Sequence, residues 1–232
     1  MLTCNQYEYL LMQGVRKMKI DMYGRSMMEM IGVLAIVGIL SVGAIGAYSK
    51  AMDRHRANAT INDITQIVTN TRQVFGQLDN RGYGSMDFNV KSMQDKNYTN
   101  RKIADKMGIF PEHIRRNDYL TAYNGKIQYF PDGMYKADDG KAFVIEFYGV
   151  PQDACIEIVT KDWSSSLGLV AMKVKSSASA YSIQAGALVG NCKTEYKKGV
   201  GLFCAADFPI SVDKAVTVCD YVKNNDISWK FY

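Results

Sequence analysis

Hydrophobic and polar positions are spread unevenly along this chain. From Met30 to Ala47 the residues read MIGVLAIVGILSVGAIGA, with Ser41 the only polar one. Eighteen residues at ~1.5 Å each make about 27 Å of helix, against a hydrocarbon core about 30 Å thick. The run can cross a membrane with little tilt and is longer than an ordinary secretory h-region. Beyond it the pattern turns amphipathic. Tyr48, Met52, Ala59, Ile64, Val68, Phe75 and Leu78 recur mostly at steps of three or four, and Asp53, Arg54, Arg56, Asn62, Asp63, Asn70 and Arg72 fill most positions between. No proline interrupts the stretch, and Asn80-Arg81-Gly82-Tyr83-Gly84 supplies stop signals. One helix is predicted from about Ser26 to about Leu78, apolar all round in its first half and core-facing along one side in its second.

The remainder mixes shorter elements. Residues 83–120 read as loop-rich, with a short helix over Arg101–Met107 that stops at Gly108. Strands are predicted at Lys126–Phe130 and Ala142–Tyr148; in the second, Phe143, Ile145 and Phe147 alternate with Val144, Glu146 and Tyr148. Val150-Pro151-Gln152-Asp153 opens a helix through Cys155 to about Lys161, and Leu169–Lys175 reads as a strand. Ser211 caps a helix over Val212–Tyr221. In Asp226–Tyr232, Ile227, Trp229 and Phe231 face one side. Helices and antiparallel strands mix without βα alternation, so the fold class is α+β, a long N-terminal helix packed on a C-terminal antiparallel sheet.

Composition narrows the function. The chain has 232 residues, 47% hydrophobic and 22% charged, which suits one globular domain plus an extension. Its net charge of +5 is scattered, without the dense basic stripe of a nucleic-acid binder. Of five cysteines, Cys4 lies before the apolar run, while Cys155, Cys192, Cys204 and Cys219 form an even set in the C-terminal half. An exported chain with such a set favours two disulfides. The rival zinc site usually shows a C-x₂₋₄-C pair, whereas the closest pair, Cys192 and Cys204, has eleven residues between. Nucleotide-binding, zinc-protease and serine-hydrolase motifs are absent, so neither catalytic residues nor a cofactor or metal is expected. His55 falls among core-side or subunit-facing positions of the long helix, and His113 in a polar, solvated loop. The 15 tyrosines suit packing or subunit contacts better than a carbohydrate- or protein-binding surface.

Arg16, Lys17, Lys19 and Arg25 precede the apolar run and Lys50, Arg54 and Arg56 follow it, which leans toward a cytoplasmic N-terminus. A signal peptide cut after Gly46, with Ala44 and Gly46 as the small residues, and an uncleaved anchor are two readings. The third comes from GRSMMEMIGVLAIVGILSVGAIGAY, residues 24–48, which resembles the class III signal of type IV pilins. The resemblance implies that a prepilin peptidase cuts between Gly24 and Arg25, leaving Glu29 fifth in the mature chain ahead of the apolar helix. This chain departs from the family in starting with Arg25, where Phe, Met or another apolar residue is usual. A leader of 24 residues is long, as in the type IVb branch. The expected organisation is a leader over 1–24, an apolar half-helix over 25–48, an amphipathic half over 49–80 and a globular head over 81–232. Gly32, Gly38, Gly43 and Gly46 each cost about 1 kcal/mol of helix propensity in water. They suit close helix packing, and the resemblance implies local unwinding in a filament, at Gly43 and Gly46, which fall within one turn.

The head also resembles type IVb pilins: Gly108 and Pro111, Asn124 and Gly125, and Val150, Pro151, Ala154 and Cys155 stand where that family carries turn, strand-entry and helix-start motifs. Residues 176–210 fit less well. A long-range link in those proteins implies Cys155–Cys219 here, which leaves Cys192–Cys204 as a local loop. The resemblance further implies a non-enzymatic subunit, held in the inner membrane and then assembled into a surface or periplasmic filament by inner-membrane machinery, Glu29 pairing with the new α-amino group at Arg25 of a neighbour. A minor pilin, a secretion pseudopilin, and a membrane-anchored adhesin or receptor for a surface ligand or DNA are the alternatives.

Overall fold

A computed structural model describes residues 27–76, 82–133, 140–163, 168–176, 192–220 and 224–232. It divides into two units, Met1–Tyr48 and Ser49–Tyr232, and helix α1, Met27–Phe75, contributes to both. In the first unit every described residue is exposed, including Ile31, Leu34, Ile39, Leu40 and Val42.

In the second unit α1 buries Ala57, Thr60, Ile61, Ile64, Ile67, Val68, Thr71 and Phe75. These fall mostly three or four apart, so one side of the helix enters the core. Of the predicted face, Ile64, Val68 and Phe75 are buried and Met52 and Ala59 half-buried, while Leu78 lies outside the described residues. The helix ends at Phe75 and turns at Gly76, whose N–H still reaches the Arg72 carbonyl at 2.7 Å.

Then follow α2 (Thr99–Met107), α3 (Glu112–Arg116), β1 (Ile127–Asp132), β2 (Ala142–Val150), α4 (Gln152–Thr160), β3 (Leu169–Ser176), β4 (Glu195–Lys197), β5 (Val200–Cys204), α5 (Val212–Val218) and β6 (Asn225–Phe231). The six strands form one sheet in the order β1-β2-β6-β3-β5-β4, and every neighbouring pair is antiparallel. Phe143, Ile145 and Phe147 on β2 stand opposite Phe231, Trp229 and Ile227 on β6, and all six are at most 1% exposed. Rings meet edge to face across this layer, Phe110 with Tyr129 at 5.4 Å and Phe147 with Trp229 at 5.8 Å between centroids. Burying one such Phe side chain contributes about 1.5–3 kcal/mol. On the other side of the sheet Gln128, Glu146, Ser228 and Lys173 share a row and are half-exposed, with Ser228 Oγ donating to Glu146 Oε1 at 2.9 Å. This inside-outside alternation is that of an antiparallel sheet with one covered face.

Three predicted segments change. β1 runs through Pro131 to Asp132, which an edge strand tolerates because it has a neighbour on one side only. His113 stands on the short helix α3 rather than in a loop. Helix α5 stops at Val218, with Cys219 already extended. Gly125 fills a turn where an added Cβ would lie 1.6 Å from the Tyr148 carbonyl oxygen, so no other residue fits there.

Between α1 and the sheet, residues 82–126 are tied down by buried polar groups. The fully buried Asn100 accepts the Asp87 N–H at 2.7 Å and donates to the Tyr129 carbonyl at 3.0 Å. Arg101 donates to the carbonyls of Met93 at 3.0 Å and Gln94 at 2.8 Å, pairs with Asp118 at 2.9 Å, and lies over the Tyr119 ring. A loop that buries its backbone needs such partners.

Candidate functional site

Glu29 stands in the first turn of α1 and is exposed, whereas Gly24 and Arg25 lie outside the described residues. Among the described residues α1 is the one helix long and apolar enough to cross a membrane. The polar atom inside its apolar run is satisfied locally, Ser41 Oγ donating to the Val37 carbonyl at 2.7 Å. A Cβ placed on Gly32, Gly38, Gly43 or Gly46 would touch nothing within 4 Å. Packing among the described residues therefore does not account for those glycines, and they leave shallow places for another helix to approach.

The four cysteines of the head are all bridged. Cys155 on α4 joins Cys219 after α5, with Cα atoms 5.9 Å apart and both residues at most 1% exposed. Gln152 Nε2 donates to the Cys219 carbonyl at 3.2 Å across the same junction. Cys192 joins Cys204 at the end of β5, Cα atoms 5.8 Å apart, and both are half-exposed. Asp207 supports this second bridge by accepting the Cys204 N–H at 2.6 Å and the Thr194 hydroxyl. Among the described residues no group of three metal-ligating side chains gathers.

His55 is exposed, so of its two readings, core-side or subunit-facing, the core-side one fails: the stripe that enters the core passes through Ala57, Thr60 and Ile61. His113 is exposed too, and its Nε2 lies 3.1 Å from Asp63 Oδ2 on α1. Burial raises the Asp63 pKa above the ordinary carboxylate value, and His113 opposes the shift only in part. The folded state thus holds this proton more tightly than the unfolded chain does. Between the ordinary and the raised value, stability falls as pH rises. Asp63→Asn is expected to remove that fall and leave the neutral-pH Tm equal or higher, as read from melting curves across the acid range. A neutral-pH Tm several degrees lower would instead make the His113 contact the stronger effect.

Between α1 and α4 an open cleft of about 610 Å³ is lined by Lys50, Asp53, Arg54, Asp153, Ala154 and Glu157. Apart from Ala154 these are charged groups of both signs, with no thiol, hydroxyl or imidazole among them. The tyrosines serve largely as packing: Tyr83, Tyr98, Tyr119 and Tyr129 are buried. Burial pushes the Tyr98 and Tyr123 hydroxyls up to about 12, so both stay protonated at neutral pH. Residue patterns did not single out the Asn100 and Arg101 contacts or the Asp63–His113 pair, since each joins residues brought together only by folding. The Asx and basic residue types themselves carry no such signal.

The model of the PilS N-terminal family matches residues 54–230. No curated protein sequence matches the chain. Among solved structures the chain is similar to the crystal structure of the type IVb pilin from Salmonella typhi, with 15% identity and a TM-score of 0.43, over 75% of this chain and 98% of that one. It is also similar to TcpA, a type IV pilin from Vibrio cholerae El Tor biotype, with 15% identity and a TM-score of 0.46, over 77% of this chain and 99% of that one. With a family match that runs across most of its length, this chain belongs to the PilS N-terminal family.

Proposed function

We propose that this chain is a pilus subunit, cut between Gly24 and Arg25 by a prepilin peptidase, that assembles through the apolar half of α1. It is a structural subunit rather than an enzyme. The observation that carries the reading is that the run from Met30 to Ala47 is helical and apolar, yet none of its residues is buried among the described residues. Such a surface needs lipid first and other helices afterwards. A head-to-tail contact between copies does not close on itself and so generates a helical filament. The two bridges suit a head that matures on the oxidising side of the membrane. The subunit then begins as a single-pass inner-membrane protein and ends in a surface or periplasmic filament.

Intact mass and N-terminal sequencing of the protein from its native membranes test the processing step. The expected chain starts at Arg25, keeps its apolar helix and has lost Cys4. A chain starting near Ala47 would restore an ordinary signal peptide and remove the assembly helix from the mature protein.

A further inference from the structure

Two segments of the chain read Asn-x-Ser/Thr, the acceptor pattern for N-linked glycans: Asn58-Ala59-Thr60 and Asn97-Tyr98-Thr99. The fold treats them oppositely. Asn58 lies in the middle of α1, where Thr60 is 1% exposed and its hydroxyl is spent on the Arg56 carbonyl at 2.9 Å. Asn97 lies in the turn before α2, beside the β1 edge, where Ser92 bridges to Gln128. Asp95, Lys96, Asn97 and Thr99 are all exposed. The Asn97 backbone N–H is held by Asp95 Oδ1 at 2.9 Å, while its side-chain amide and the Thr99 hydroxyl make no hydrogen bond among the described residues. The residue two before the acceptor also differs, a carboxylate at Asp95 and a cation at Arg56. The Asn97 segment is therefore Asp-x-Asn-x-Thr, and the Asn58 segment Arg-x-Asn-x-Thr.

We propose that Asn97 is an N-glycosylation site, modified on the outer side of the membrane by an oligosaccharyltransferase that draws on a lipid-pyrophosphate-linked glycan. Nδ2 of Asn97 attacks C1 of the donor sugar. The Nδ2–C1 bond forms as the C1–O bond breaks, the lipid pyrophosphate leaves with that electron pair, and the amide proton passes to a base of the enzyme. The Thr99 hydroxyl and the Asp95 carboxylate are the recognition groups on either side. Tyr98 holds the segment in place: its ring is 1% exposed and its hydroxyl donates to the Tyr129 carbonyl at 3.1 Å, which leaves Asp95, Asn97 and Thr99 displayed on the folded head. The finished glycan then projects from an exposed turn without disturbing the core.

The site rests on export of the head, as the filament reading does, but not on cleavage after Gly24. Intact mass and peptide mapping of subunits from native cells read both at once. The wild-type protein is expected to exceed its sequence mass by a glycan located on the Asn97 peptide. The increment should vanish in Asn97→Gln and Thr99→Val and persist in Asn58→Gln. A wild-type chain of unmodified mass, or an increment that survives Asn97→Gln, overturns the proposal. A processed chain without the increment removes the glycan and spares the pilin reading, whereas an unprocessed chain carrying it does the reverse.

Discussion

Glu29→Gln subunits are expected to be processed, inserted and normally folded, and yet to form filaments at a small fraction of wild-type yield. Glu29 sits in the first turn of α1, immediately ahead of the apolar run, and its side chain is exposed in the single chain. Near the end of a membrane span its cost is below the roughly +3 kcal/mol of an acid at mid-membrane. In a bundle of apolar helices it is remote from water and needs a partner. On the assembly reading, cleavage after Gly24 supplies one, the α-amino group at Arg25 of a neighbouring subunit. Removing one member of a buried pair costs about 3–5 kcal/mol, since the other charge is left uncompensated. Even the lower figure weakens each contact by about a hundredfold. Sheared filament yield, divided by the membrane pool of subunit, measures the effect for Glu29→Gln and Glu29→Ala. Wild-type yield from either variant would sink Glu29 as the assembly residue and take away the main support for register-setting by that pair.

Loss of the Cys155–Cys219 bridge is the second large effect. It closes a loop with a sequence separation of 64, for which chain entropy alone gives about 4 kcal/mol. The bridge also lies inside the core, among Ala154, Ile158, Ala215 and Val218. A stability of about 5–15 kcal/mol is usual for a domain, so this one link holds a large share of it. For a chain of this size roughly 2–4 °C of Tm follows each kcal/mol. The double substitution Cys155→Ala with Cys219→Ala should therefore lower the Tm by about 10 °C, measured on the mature protein in detergent. The other bridge spans a separation of only 12 and is half-exposed. By the same entropy its loss costs about 3 kcal/mol, and the double substitution at Cys192 and Cys204 should lower the Tm less. Equal Tm values for wild type and the Cys155/Cys219 variant would contradict the role given to the buried link. A Cys155–Cys192 peptide in a non-reducing map would contradict the pairing itself.

The elements that could be read from the chain are those whose burial repeats at a fixed period. The apolar run of α1, its amphipathic continuation and the alternation in β2 and β6 all leave that mark, and Pro151 and Ser211 stand just ahead of α4 and α5 as expected. Periodicity states that a face is covered and is silent about what covers it. It could not insert β6 between β2 and β3, because that placement is made by pairing residues far apart in the chain. It also traced the buried stripe of the helix incompletely, since a face predicted from scattered apolar residues omits Thr60 and Thr71, whose hydroxyls turn back onto their own helix and let them enter the core. The β4–β5 hairpin was invisible for a related reason. Glu195, Tyr196 and Lys197 are all exposed, and Val200–Phe203 all buried, so neither strand alternates. The Asp63–His113 contact spans fifty positions and exists only because α3 is laid against α1. Local residue chemistry thus specifies the segments and their covered sides. Which segments meet, and which polar groups must then be satisfied between them, is settled by packing at long range.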